Sequence, residues 1–286
     1  MLKTNLPVLG PIDFEIRLLN GRLERAGEHL TTFGKLWDEY LAGRPHGLNH
    51  VPKPDGTLAV CLHRRTPLPV ELSLVLGEFV YELRAALDNC LYAAAVLVSE
   101  KNPPPNAARL EWPIRKDAKE WKQQANRYQH LPADIRNALE RIQPYQAQFP
   151  EWNSLAILHD LARIDRHRSP HGLGLYLSHL RLRADPSKIT VIDQGRPGIV
   201  HDGGEIVRLQ LEPGVELSPE NFDVNLEFEV DVSDAREAPG PSDASGRPWG
   251  SLHNRMRSVI KAVDMYTAGI LAHAIDNISG GDPDEG

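Results

Sequence analysis

The stretch VNLEFEVDV at residues 224–232 decides the fold class. Val224, Leu226, Phe228, Val230 and Val232 alternate with Asn225, Glu227, Glu229 and Asp231. A period of two is that of an extended strand, whose successive side chains point to opposite faces. One face is dry and the other wet, as in an antiparallel sheet that packs on one side only. Upstream, residues 189–192 and 206–211 also read as strands. The turn His201-Asp202-Gly203-Gly204-Glu205 introduces the second of them. Another alternating stretch, at 57–63, places Leu58, Val60 and Leu62 on one face.

Around these strands the apolar period becomes helical. Phe14, Leu18, Leu19, Leu23, Leu30, Phe33, Trp37 and Leu41 predict a long helix over 12–41, although Gly21, Gly27 and Gly34 lie within it. Residues 70–99 form the clearest helix. Pro103-Pro104-Pro105 ends it, because proline lacks the amide hydrogen that a helix needs. Leu76, Val80, Leu83, Leu87 and Leu91 make its apolar arc, with Arg84 at the edge and Asn89 pointing away. Leu74, Ala85, Ala86 and Val96 fall outside that arc, which predicts burial on nearly all sides. Shorter helices are predicted over 116–127, 132–142 and 152–168. A closing helix over 251–278 carries Leu252, Met256, Val259, Val263, Tyr266, Ile270 and Ala274 in one stripe.

Strands clustered between helices predict an α+β fold, a bundle of long helices with a small antiparallel β-sheet inserted before the last one. A single domain over 1–278 is expected: mainly helical over 12–171, β-rich over 188–233 and closed by the helix at 251–278. A disordered tail is expected at 279–286.

The 286 residues are 41% hydrophobic and 25% charged, a balance that excludes a disordered or collagen-like chain. The formal net charge of −7 argues against a general polyanion binder, so any nucleic-acid contact must be a local patch. Two cysteines, Cys61 and Cys90, cannot supply a disulfide framework or a closed cysteine zinc site. The sequence opens without a basic-then-apolar leader, and no stretch approaches the roughly 18 apolar residues of a membrane span. A cytoplasmic protein with no membrane partner is expected. No dinucleotide, Walker A or nucleophile-elbow motif is present, so no cofactor is expected either.

The densest chemistry lies in LHDLARIDRHRSPH, residues 158–171. On a helix, Leu155, Leu158, Leu161 and Ala162 form one apolar face, and His159, Arg163, Arg166 and His167 line the opposite side. Asp165 falls in the middle of the apolar face, where a carboxylate needs a partner. Arg84, at the edge of another apolar arc, is the expected one. A buried or half-buried Arg84–Asp165 ion pair would set the register of the two helices. His159-Asp160 resembles the middle of an HD metal motif, but no upstream histidine completes it. Asp165 and His167 also project in very different directions from one helix, so no metal site is expected.

Four segments together carry a resemblance: LRAALD at 83–88, WPI at 112–114, IQPY at 142–145 and IDRHR at 164–168. The combination looks like a family of uncharacterised bacterial proteins, matched over about residues 12–171. In that family the position of Asn89 is usually His. The resulting spacing of Arg, four residues and His resembles that of HEPN domains, which are helical, usually dimeric and often metal-independent ribonucleases of defence and toxin systems. The resemblance implies an RNA-directed homodimer. Asn89 departs from the pattern, since an amide cannot shuttle a proton at neutral pH, and a site there would be inactive. The same spacing recurs from Arg166 to His171. His167 or His171 would then deprotonate a ribose 2′-hydroxyl and Arg166 would steady the scissile phosphate. Arg163, Arg168 and His159 would hold the substrate. Against this, Pro170 interrupts the helix that should carry the motif. Two other readings stand beside it. One is a non-catalytic dimeric interaction protein that uses its long helices. The other is a metal-dependent hydrolase built on His159, Asp160, His167 and His171.

Overall fold

The computed structural model describes residues 7–167, 172–233, 237–241 and 245–279. At residues 7, 8, 163–167 and 245 it describes the backbone alone. The fold is mixed α+β, and the last helix follows the strands. By their internal contacts the residues form two compact units.

One unit comprises residues 1–32, 74–170 and 236–286 and is helical. It holds most of α1 (Asp13–Ala42) and α2 (Val70–Ser99). It also holds α3 (Ala118–Gln124), α4 (Ala133–Arg141), α5 (Ser154–His167) and α6 (Leu252–Ser279). α1 begins with Asp13 and Glu15 in its first turn, where carboxylates meet the positive end of the helix dipole. Gly21 and Gly27 do not break it. Its buried arc is Ile16, Leu19, Leu23 and Ala26, and burial outweighs the propensity cost of the glycines. Phe14 and Leu18, expected on the buried stripe, lie off that arc and face solvent. In α2, Leu76, Leu83, Leu87, Cys90, Leu91 and Ala94 are all fully buried. Leu74 departs from expectation and is 50% exposed, near the start of the helix and off its arc. α2 ends where Glu100 takes the left-handed conformation at φ 53°. α6 packs on α4 and α5, and buries Leu252, Met256, Val259, Val263, Ile270 and Ala274 of its predicted stripe. A two-stranded ribbon, β8 (Ala238–Pro239) with β9 (Ser245–Gly246), belongs to this unit as well.

The other unit, residues 33–73 and 171–235, is built on two antiparallel sheets. The strands are β1 (His46–Pro52), β2 (Leu58–Arg64), β3 (Leu173–Ala184), β4 (Ile189–Gln194), β5 (Gly198–Val200), β6 (Glu205–Leu211) and β7 (Phe222–Val232). One sheet runs β1-β2-β6-β4 and the other β5-β3-β7. Val60, Leu62, Ile206, Val207 and Leu209 of the first share a core with Leu175, Leu177 and Phe222 of the second. The sequence places a strand at 57–63 without a partner. In the structure it pairs with β6, Leu58 opposite Leu209, so one sheet joins residues from both sides of α2. β1 carries no clean alternation to announce it, and that of β3 changes phase at a bulge between Leu177 and His179. β3 is buried on both faces over Gly174–Leu177 and alternates only beyond, where His179, Arg181 and Arg183 are exposed.

β7 follows its predicted alternation, with Asp223, Asn225 and Glu227 exposed. Asp231, expected on the wet face, is fully buried instead. Its Oδ1 accepts a hydrogen bond from the backbone N–H of Val232 at 2.7 Å. The turn before β6 forms as expected. Gly203 adopts φ +76°, which favours glycine, and Asp202 Oδ1 accepts from the Arg64 N–H at 2.7 Å.

Candidate functional site

Residues 112–115 run extended without a neighbouring strand, so their backbone groups need side-chain partners. Two supply them. The Trp112 N–H donates to Asp88 Oδ1 at 2.7 Å. Gln143 is fully buried; its Nε2 donates to Pro113 O (3.1 Å) and Leu139 O (2.7 Å). Its Oε1 accepts from the Arg115 N–H at 2.8 Å. Asp88, Trp112–Ile114 and Gln143 come from three of the four segments that carried the resemblance. Their co-occurrence thus has a structural reason: together they pin one extended strap.

The strap delivers Arg115 and Lys116 to α5. Lys116 Nζ lies 2.7 Å from Asp160 Oδ1. The Arg115 guanidinium is largely buried and bonds Gln124 Oε1 and Glu111 Oε1, the latter at 3.3 Å. Glu111 is shared with Arg127 at 2.9 Å. Arg84 on α2 is half-buried, and its charge reaches His159 on α5. His159 is half-buried too. Burial, and then the positive charge of Arg84, hold its imidazole below the ordinary range. Lys116 and Arg115 push the same way and Asp160 opposes them. The result is a neutral imidazole at physiological pH with three cations around it. Such a group accepts a proton, while of the cations around it Lys116 is held by Asp160 and Arg115 by Glu111.

His159 and Arg84 are therefore brought together, and Asn89 sits half-buried on α2. Arg163, Asp165, Arg166 and His167 lie on α5 by their backbone, and their side chains fall outside the described residues. Arg168 and His171 lie outside them entirely. The expected Arg84–Asp165 pair and the Arg166–His171 spacing thus fall beyond what is described. Among the described residues no three His, Cys, Asp or Glu side chains gather at one point. Cys90 is buried, its thiol pushed up by burial, and its S–H donates to Thr267 O at 3.4 Å. Cys61 is also buried. Among the described residues no helix is long and apolar enough to cross a membrane.

Arg115 and Lys116 escaped the sequence reading. The one available signal was their position directly after Trp112-Pro113-Ile114, a short apolar run followed at once by two cations. Compared with known protein families, curated proteins and solved structures, the chain matches none.

Proposed function

We propose that the protein is RNA-directed in the manner of HEPN-like ribonucleases, and that it works around His159 on α5. The supporting observation is the neutral imidazole of His159 among Arg84, Arg115 and Lys116. A phosphodiester there would share Lys116 with Asp160 and Arg115 with Glu111, which already hold them. His159 takes the proton of a ribose 2′-hydroxyl as that oxygen attacks the neighbouring phosphorus. The bond from phosphorus to the 5′-oxygen breaks, and the leaving oxygen takes a proton from His167, His171 or water. The products are a 2′,3′-cyclic phosphate and a 5′-hydroxyl. The cations steady the charge that builds on the phosphate oxygens. Arg163, Arg166 and Arg168 come next in sequence and extend the contact along the strand. The working unit in this reading is a cytoplasmic homodimer.

The test is incubation of the purified protein with total RNA, with and without a chelator. Cleavage that survives chelation and falls by about 10²–10⁴-fold in His159→Ala supports the reading. Binding without cleavage identifies an inactive descendant. Neither binding nor cleavage overturns it. In that case a non-catalytic interaction protein is favoured, a reading that the exposed Phe14 and Tyr81 support.

A further inference from the structure

Outside the α5 cluster, two tryptophans meet at the surface of the helical unit. Trp152 stands just before α5 and Trp249 just before α6. Their ring centroids are 6.3 Å apart at an angle of 57°. The Trp249 Nε1–H donates to Trp152 O at 2.6 Å. Gly240 lies so close to the other ring that a Cβ there would come within 2.4 Å of it. Trp152 is thus backed by glycine, while Trp249 remains 45% exposed. Trp249 also holds a left-handed backbone, φ 59°, a strained conformation for a bulky residue. A large apolar ring is kept facing outward at a conformational cost.

The start of α6, just beyond Trp249, is basic. His253, Arg257 and Lys261 recur every fourth residue on this helix, and all three are exposed. No acidic residue occurs from Leu252 to Lys261. None of the three is in an ion pair among the described residues. His253 stands in the first turn of α6, at the positive end of its dipole, where an anion is favoured. Arg257, Ile260 and Lys261 line an open groove of about 380 Å³ with Leu23, Leu30 and Asp264, so one carboxylate stands among its cations. In a chain of net charge −7, this is the kind of local patch that a nucleic-acid contact requires.

We propose that Trp249 is a stacking platform for an unpaired base, and that His253, Arg257 and Lys261 hold the phosphates of the same single strand. A planar aromatic ring followed by evenly spaced cations selects a ligand with planar rings and repeating negative charge. Successive cations stand about 6 Å apart along the helix axis, a spacing that an extended strand can follow. Stacking needs a base that is not paired, so the ligand is single-stranded rather than duplex. The proposal rests on the RNA-directed reading but uses none of the residues around His159.

The experiment is fluorescence anisotropy of the full chain with a labelled single-stranded oligoadenylate of about 12 nucleotides. Trp249→Ala should weaken binding about tenfold. Arg257→Gln with Lys261→Gln should weaken it further and lower the salt slope by about 1.4, two phosphate contacts' worth. The double variant changes only exposed side chains, so it tests the proposal even if Trp249→Ala folds poorly. Duplex RNA of equal length should bind more weakly. If both variants bind the oligonucleotide as tightly as the wild type, the proposal is overturned, whether or not His159 cleaves RNA. Binding that depends on Trp249 and the two cations, with no cleavage, upholds it and removes the catalytic reading. A wild type that binds neither single strand nor duplex overturns both. So does, for this site alone, a proline-rich peptide that competes as well as RNA.

Discussion

Gln143 is an uncharged side chain with no solvent contact that satisfies three backbone groups, one of them on α4's last turn. A helix leaves its final carbonyls without partners, and Leu139 O is among them. Replacing Gln143 by Leu fills the volume but strands Pro113 O and the Arg115 N–H, a loss of about 2–3 kcal/mol in urea unfolding. Asp88→Asn should cost less than Asp88→Ala, because an amide oxygen still accepts from the Trp112 N–H. Equal losses for the two Asp88 variants would mean that the bond to Trp112 contributes little. None of this was legible at residue level. Gln143 reads as the residue before a helix-breaking proline, because its partners at Pro113 and Arg115 lie far away in sequence.

At the level of elements, apolar arcs were legible and charged contacts were not. Leu87 and Leu74 both look like core residues of α2, yet the first is fully buried and the second half exposed. Leu87→Ala should therefore cost about 2–5 kcal/mol. Leu74→Ala should stay within about 0.5 kcal/mol. The expected pairing of Arg84 with Asp165, which falls outside the described residues, is tested the same way. If the two pair, Asp165→Ala should lose about 3–5 kcal/mol, since it leaves the half-buried Arg84 uncompensated. Arg84→Met combined with Asp165→Leu should recover much of that. A double variant no more stable than Asp165→Ala would show that the two side chains do not answer one another.

Across the molecule, three histidines among the described residues respond to acid in one direction. Burial lowers His130; burial and Arg64 lower His46; burial and Arg84 lead for His159. A histidine lowered in the folded state binds protons more readily when unfolded. Its contribution is complete above the unfolded value of about 6.5 and is lost as pH falls below it. The melting temperature should hold between about pH 8 and 7 and drop towards pH 5. His46 stands within 5.0 Å of the Phe228 ring and hydrogen-bonds Tyr40 Oη at 3.2 Å. His46→Phe should keep the ring packing and flatten part of the acid slope. A profile unchanged in that variant would remove His46 from the account.

The sequence alone determined the fold class, the long helices and the strands with a clean period, because those depend on local spacing and on how much apolar surface a segment must hide. It also marked α5 as the place where charge and histidine concentrate. Tertiary structure decided the rest. That β2 pairs with β6, on the far side of α2 in sequence, depends on a core assembled from distant residues. Asp231 continues the wet face in the alternation, yet the fold buries it, with the Val232 N–H on its Oδ1. The state of His159 is set first by its burial and then by Arg84, with Lys116 and Arg115 acting against Asp160; these groups reach α5 from α2 and from a strap pinned by Asp88 and Gln143. Electrostatics acts through space, and no period in the chain records it.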